Sequence, residues 1–189
     1  MQEECAGAQV VVFAGSLPPG ADPGLYARLV DLVDGWGCRA VVDTVGTELR
    51  LAAQKRLYAI KPNYREAVEL LDLSHDAAPS HSTILRGLSQ LNVEHLILTL
   101  GEQGAYIRTE NRIVHVTPPQ VPVGNTAGAG DSVLAVYLAG LTLRWPLEER
   151  AAKAVAAGSA AVQGISTDLC TPEAVQQLLP RVVVHDAAP

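Results

Sequence analysis

The stretch of this sequence best suited to chemistry is Asn125-Thr126-Ala127-Gly128-Ala129-Gly130-Asp131-Ser132, a glycine-rich turn running straight into an apolar helical segment. Backbone N–H groups at such a junction point outward from a helix N-terminus, where the dipole and the unsatisfied donors favour an anion. Asp131 falls in that first turn. An acid beside a phosphate cradle repels the phosphate unless it takes a proton, which suggests a base for an attacking hydroxyl. The spacing alone is equally that of a glycine turn with a helix-starting aspartate. Two rival glycine motifs fail: no G-x-x-x-x-G-K-[ST] occurs, and Val133 stands where the dinucleotide fingerprint needs Gly or Ala. A P-loop is thereby excluded and a Rossmann-type oxidoreductase disfavoured.

Three further segments end strands and open turns. Lys61-Pro62-Asn63-Tyr64-Arg65-Glu66 places Asn63 and Glu66 one helical turn apart on one face, which by itself reads as an N-cap with its capping-box partner. Thr99-Leu100-Gly101-Glu102-Gln103-Gly104 lets backbone approach a ligand or simply turns the chain. Gly15-Ser16-Leu17-Pro18-Pro19-Gly20 is a stiff loop after a strand, the position at which open α/β sheets bind ligands. No histidine pair has metal-ligand spacing, and Cys38 and Cys170 read as small core fillers.

The elements that must position these loops follow from the alternation of β-branched runs with segments of helical period, the pattern of an α/β layer fold. Strands are expected at Val10–Ala14, Ala40–Asp43, Leu57–Lys61 and Leu96–Leu100, with an antiparallel pair Ala105–Arg108 and Ile113–Val116 at a sheet edge. The first helix is expected to start from Asp22 and Pro23 and to bury Leu25, Leu29, Leu32, Val33 and Trp36. Further helices are expected over Thr47–Gln54, Asn63–Leu71 and Thr83–Leu91. Ala129–Leu143 is apolar nearly all round and is expected to be buried on most sides. Leu147–Gln163 is rich in Ala and Gly, so Ala156, Ala157, Gly158 and Ala160 suit close helix packing. His185–Pro189 reads as a frayed tail.

The 189 residues suffice for a single α/β domain, residues 1–189, with its own core. A formal net charge of -6 has the wrong sign for wrapping nucleic acid or lying on an anionic membrane, and 4% aromatics offer few stacking faces. No apolar run reaches a membrane span and the N-terminus is acidic, so neither a membrane nor a nucleic-acid partner is expected. Three cysteines without CxxC spacing point to a reducing, cytoplasmic address.

Taken in order, GSLPPG, Val42-Asp43-Thr44, KPN-x-x-E, TLGEQG and NTAGAGDS resemble the PfkB (ribokinase-like) carbohydrate kinases over nearly the whole chain, in particular the 1-phosphofructokinase and tagatose-6-phosphate kinase branch. The resemblance implies a three-layer sandwich, a mostly parallel sheet with helices on both faces. It also implies ATP and Mg²⁺ as cofactors and a sugar or sugar phosphate as substrate. By resemblance Asp131 is the base, and Gly128, Ala129 and Gly130 form the anion hole for the γ-phosphate. Asn63 and Glu66 organise Mg²⁺ and its waters, and Lys61, Asn63, Thr99, Gly101, Glu102, Gly104 and Gly130 contact the nucleotide. Ser16 and Asp131 contact the sugar.

Only Met1 to Gln9 precede Val10, where the family carries a first strand, a β lid and sugar-orienting residues. The chain therefore resembles the C-terminal, nucleotide-binding part of such a kinase, and it lacks in Ile165-Ser166-Thr167-Asp168 a glycine of the family's late loop. It is expected to bind ATP but to phosphorylate fructose 1-phosphate or tagatose 6-phosphate poorly, and to self-associate as a homo-oligomer through Val10–Ala14. The rival expectation is a nucleotide-binding module without catalysis.

Overall fold

The computed structural model describes residues 7–74, 76, 78–164 and 170–188. The Ile165–Asp168 segment lies outside them. The chain divides into two compact units, the first running to Leu98 and taking in Arg108–Glu110, the second comprising Thr99–Ile107 and Asn111–Ala188.

In the first unit, β1 (Val10–Ala14), β2 (Arg39–Asp43), β3 (Leu57–Ile60) and β4 (Val93–Thr99) lie side by side in sequence order, all parallel. Helices α1 (Leu25–Gly35), α2 (Gly46–Ala52), α3 (Tyr64–Leu70) and α4 (His81–Leu88) connect them. The near-continuous apolar runs of β2, β3 and β4 are those of strands covered on both faces. Val41, Val42, Leu57, Ile60, Leu96, Ile97 and Leu98 are all fully buried, each worth about 1.5–3 kcal/mol of removed apolar surface.

Helix α1 departs from expectation in start and facing. Asp22 makes a local turn by accepting from the Gly24 N–H at 2.8 Å and pairs with Arg28, so the helix begins only at Leu25. Its buried face is Tyr26, Ala27, Val30 and Val33, whereas Leu32 is 44% exposed. The apolar residues outnumber those one face can hold, and tertiary packing selected the set rotated by one position. Helix α4 starts two residues earlier than expected because the Ser80 hydroxyl accepts from Thr83 N–H at 3.2 Å.

In the second unit, β5 (Ala105–Arg108), β6 (Ile113–Thr117) and β7 (Val183–Ala187) are neighbours in that order. Strand β7 corrects two expectations. His185 and its neighbours are not frayed but form an antiparallel strand on β6, so β6 is not an edge. The alternation of this strand is short and half exposed, which left no periodic signal. Helix α7 (Pro172–Leu178) was also missed, although Thr171 caps it through Ala174 N–H and Pro172 opens it.

Helices α5 (Ala129–Thr142) and α6 (Leu147–Ala161) pack along each other. Here the expected burial is exchanged. Helix α5 keeps an exposed stripe of Asp131, Ala135, Ala139 and Thr142, while α6 buries ten residues, among them Ala151 and every position from Ala154 to Ala161. Small side chains allow this approach: a Cβ on Gly158 would lie 2.6 Å from Val133 Cγ2. Ala156 and Ala160 join a core cluster with Leu178 on α7. The Ala/Gly stretch is close helix packing.

Candidate active site

In the first unit the sequence-predicted residues gather at the C-terminal ends of the parallel strands, the end at which open α/β sheets bind ligands. Ser16 follows β1 and is exposed. Its loop is anchored one residue earlier. The Gly15 carbonyl accepts from the Thr44 hydroxyl at 2.9 Å and the Tyr26 hydroxyl at 3.0 Å, and the Gly15 N–H donates to the Asp43 carbonyl at 2.9 Å.

Asp43 ends β2 and Lys61 follows β3, and parallel register brings their side chains together, Nζ to Oδ1 at 3.2 Å, with only 8% and 12% of the side chains exposed. The sequence singled out Lys61 and quoted Asp43, but not their pairing. Seventeen intervening residues hide it, and only the strand order makes them neighbours. Asn63 and Glu66 form a complete capping box on α3: Glu66 N–H donates to Asn63 Oδ1 at 2.9 Å, and Glu66 Oε2 accepts from Asn63 N–H at 2.9 Å. Glu66 Oε1 also accepts from the Asn63 amide at 2.6 Å. Burial pushes the Glu66 carboxyl above the usual range; the Asn63 N–H and Lys61 pull it down, and Asp43 raises it. Asp43, Lys61, Asn63 and Glu66 thus make one cluster. Ser16 has no hydrogen bond to them among the described residues.

The shift makes a stability prediction. The native state holds the Glu66 proton more tightly than the unfolded chain, so the ionised group costs stability that is fully present above its folded pKa and is relieved as pH falls through the raised value toward the ordinary one. Glu66→Gln is therefore expected to melt at a higher temperature than wild type at pH 7, with the gap closing toward pH 4 in parallel thermal melts. A gap independent of pH assigns the difference to packing.

Asn63 and Glu66 offer hard oxygen donors, and the Glu66 carboxylate retains lone-pair positions beyond those used in the box. Among the described residues no group of three or more His, Cys, Asp or Glu gathers to enclose a metal directly. This donor set fits an ion that keeps most of its waters and takes one carboxylate, the preference of Mg²⁺.

In the second unit, Thr99 ends β4 and Leu100–Gly104 closes on itself, Leu100 N–H bonding the Gly104 carbonyl at 2.8 Å. Gly101 and Glu102 are exposed at the tip. Gly104 is buried at φ +89°, and any Cβ there would collide with the Val116 carbonyl. His115 contacts the Gln103 carbonyl at 2.9 Å, a support invisible in the sequence.

The NTAGAGDS turn is pinned to the end of α6, where the Val162 carbonyl accepts from Gly124 N–H at 2.7 Å and Asn125 N–H at 3.2 Å. Asn125 Oδ1 takes the Ala127 N–H at 3.0 Å. Gly128 caps α5 with φ +76°, a left-handed turn that aims the following amides out of the helix. The N–H groups of Gly130 and Asp131 have no acceptor among the described residues, and Asp131 is exposed beside them. Two unpaired amides and an acid thus share one helical turn.

Residues 1–174 match the pfkB family of carbohydrate kinases. The chain belongs to that family. It is 33% identical over 175 residues to a 1-phosphofructokinase of Bacillus subtilis, covering 93% of this chain and 57% of that protein. A tagatose-6-phosphate kinase of Staphylococcus epidermidis is 31% identical over 153 residues, covering 79% of this chain and 49% of the relative. Among solved structures, phosphofructokinase-2 from Escherichia coli in complex with potassium superposes with a TM-score of 0.85 at 28% identity, over 95% of this chain and 60% of that one. The chain therefore spans little more than half the length of its relatives. The expected fold class stands, α/β with a mostly parallel sheet, and the family is one of sugar kinases. No helix among the described residues is long and apolar enough to cross a membrane.

Proposed function

We propose that this protein transfers the γ-phosphate of ATP to a hydroxyl of a sugar phosphate of the fructose 1-phosphate or tagatose 6-phosphate kind. The observation that carries the proposal is the first turn of α5, where two unpaired amides and the exposed Asp131 carboxylate stand side by side. In phosphoryl transfer the protein supplies positioning and charge stabilisation rather than covalent chemistry. The Gly128–Ala129–Gly130 turn holds the transferring group, with the Gly130 N–H unpaired and the Ala129 N–H held only by a long 3.4 Å bond to the Thr126 carbonyl, and donors fixed in advance cost no reorganisation at the moment of reaction. Asp131 accepts the proton of the attacking hydroxyl. Mg²⁺, when bound, neutralises phosphate charge, and Glu66 with Asn63 holds its waters. Lys61 and the Thr99, Gly101, Glu102 and Gly104 loop contact the nucleotide, and Ser16 contacts the sugar.

Free thiols at Cys38 and Cys170 and the acidic chain support a cytoplasmic protein without nucleic-acid or membrane partners. Among the described residues strand β1 pairs only with β2 and exposes 45% of Val12, which supports self-association through that strand.

Calorimetry separates this reading from its rivals. ATP is expected to bind in the presence of Mg²⁺ with NADH failing to compete, and a preference for NADH overturns the kinase reading. In a polypeptide extended to the relatives' full length, ADP release is expected to rise on adding the sugar phosphate. ATP binding with no sugar-stimulated release there identifies a nucleotide-binding module instead.

A further inference from the structure

We propose that His115 and His185 form a binding site for a divalent transition-metal cation of the zinc, nickel and copper class. The two histidines are 70 positions apart in sequence and directly opposite each other in the antiparallel β6–β7 register. Directly opposed residues place their side chains on the same face, with Cβ atoms about 4.5–5.5 Å apart, a separation at which two imidazoles reach a common ion. This face is the outer one. The alternate residues of β6, Val114 and Val116, are fully buried, His115 is half-buried and His185 is exposed.

His115 is prepared as a ligand. Its Nε2 lies 2.9 Å from the Gln103 carbonyl, and a carbonyl only accepts, so Nε2 carries the hydrogen and Nδ1 is left with the lone pair in the neutral ring. Donation of the second ring N–H to a backbone carbonyl is the arrangement that orients metal-binding histidines and raises their basicity. The Tyr106 ring lies against the imidazole at 4.5 Å between centroids, which fixes its plane before any ion arrives. His185 stands directly opposite it in the register and is exposed. Ile113 and Thr117 on β6, with Val183 and Ala187 on β7, flank the pair in this register and carry no imidazole, thiol or carboxylate. The site is accordingly a two-nitrogen chelate whose other positions belong to water, suited to ions that favour imidazole over those that demand oxygen. His81 and His95 lie on other elements, where each meets a tyrosine edge-on, Tyr64 and Tyr58 respectively.

This inference is independent of the kinase reading and is tested without turnover. Untagged protein with its thiols alkylated, so that cysteines do not compete, is titrated with Ni²⁺ in a calorimeter. One saturable site is expected, weakened on the order of 10- to 100-fold by His115→Ala and by His185→Ala alike, and unchanged by His81→Ala. Copper(II) electron paramagnetic resonance on the same proteins is expected to show two coupled imidazole nitrogens in the wild type and one in each β-strand variant. Because His185 is exposed, its replacement leaves the fold intact and keeps the test open even if His115→Ala unfolds. Nickel binding unaffected by His185→Ala, or no binding by the wild type at millimolar metal, overturns the proposal.

Discussion

Replacing Asp131 by asparagine is expected to lower kcat by about 10²- to 10⁴-fold, the contribution of a positioned base, while ATP binds as before. Asparagine keeps the size of the side chain and removes only the ability to take a proton. Asp131 is exposed and contributes nothing to the buried face of α5, so the helix and its unpaired amides persist in the variant. The measurement is kcat and calorimetric ATP affinity side by side, in a polypeptide of the relatives' full length carrying this sequence. A fall in kcat with unchanged ATP affinity is the signature of the base. Loss of ATP affinity in proportion to kcat would make Asp131 a binding residue, and an unchanged kcat would give the proton to another group.

The largest expected effect on stability lies in the buried pair at the strand ends. Asp43→Ala leaves the Lys61 ammonium, with 8% of its side chain exposed, without its carboxylate at 3.2 Å. Breaking a buried ion pair from one side costs about 3–5 kcal/mol, mostly as the penalty of an uncompensated charge. Replacing both partners together, Asp43→Leu with Lys61→Met, is expected to recover most of that loss, since the two desolvation penalties disappear as well. Urea unfolding of the two variants tests this, and a loss under about 1 kcal/mol for Asp43→Ala would mean that the ammonium finds water or another partner. The same variant lets the Glu66 carboxyl move down toward its ordinary range, because Asp43 is one of the charges holding it up. The buried ion pair and the Glu66 carboxyl proposed to organise the metal are therefore electrostatically joined in this cluster.

What the sequence disclosed follows from the range of the interactions involved. Asn63 and Glu66 could be read as a capping box because both partners lie within one helical turn, and Gly128–Asp131 could be read as an anion turn because the donors belong to consecutive residues. The parallel strands of the first unit were legible because their runs are doubly buried and nearly uninterrupted by polar residues. The facing of α1 was not, since Leu25, Leu29 and Leu32 compete with Tyr26, Ala27 and Val30 for one surface and only the neighbouring strands decide. Lys61 with Asp43, Thr44 with Gly15, and His115 with His185 depend on strand order and register, which no local pattern encodes. Strand β7 escaped for a related reason: its five residues acquire meaning only from the edge of β6 that they complete.

The doubly bonded Gly15 carbonyl has a thermodynamic corollary. With both lone-pair directions taken by Thr44 and Tyr26 and its own amide tied to Asp43, the backbone at Gly15 has already surrendered its conformational freedom in the unliganded protein. Pro18 and Pro19 restrict the loop further along by fixing their own φ angles. A ligand touching Ser16 thus meets a segment whose ordering entropy was spent during folding rather than at the moment of association. Its recognition carries little of the entropic penalty of a mobile loop, so selectivity at that position rests on the fit of the ligand to a fixed shape.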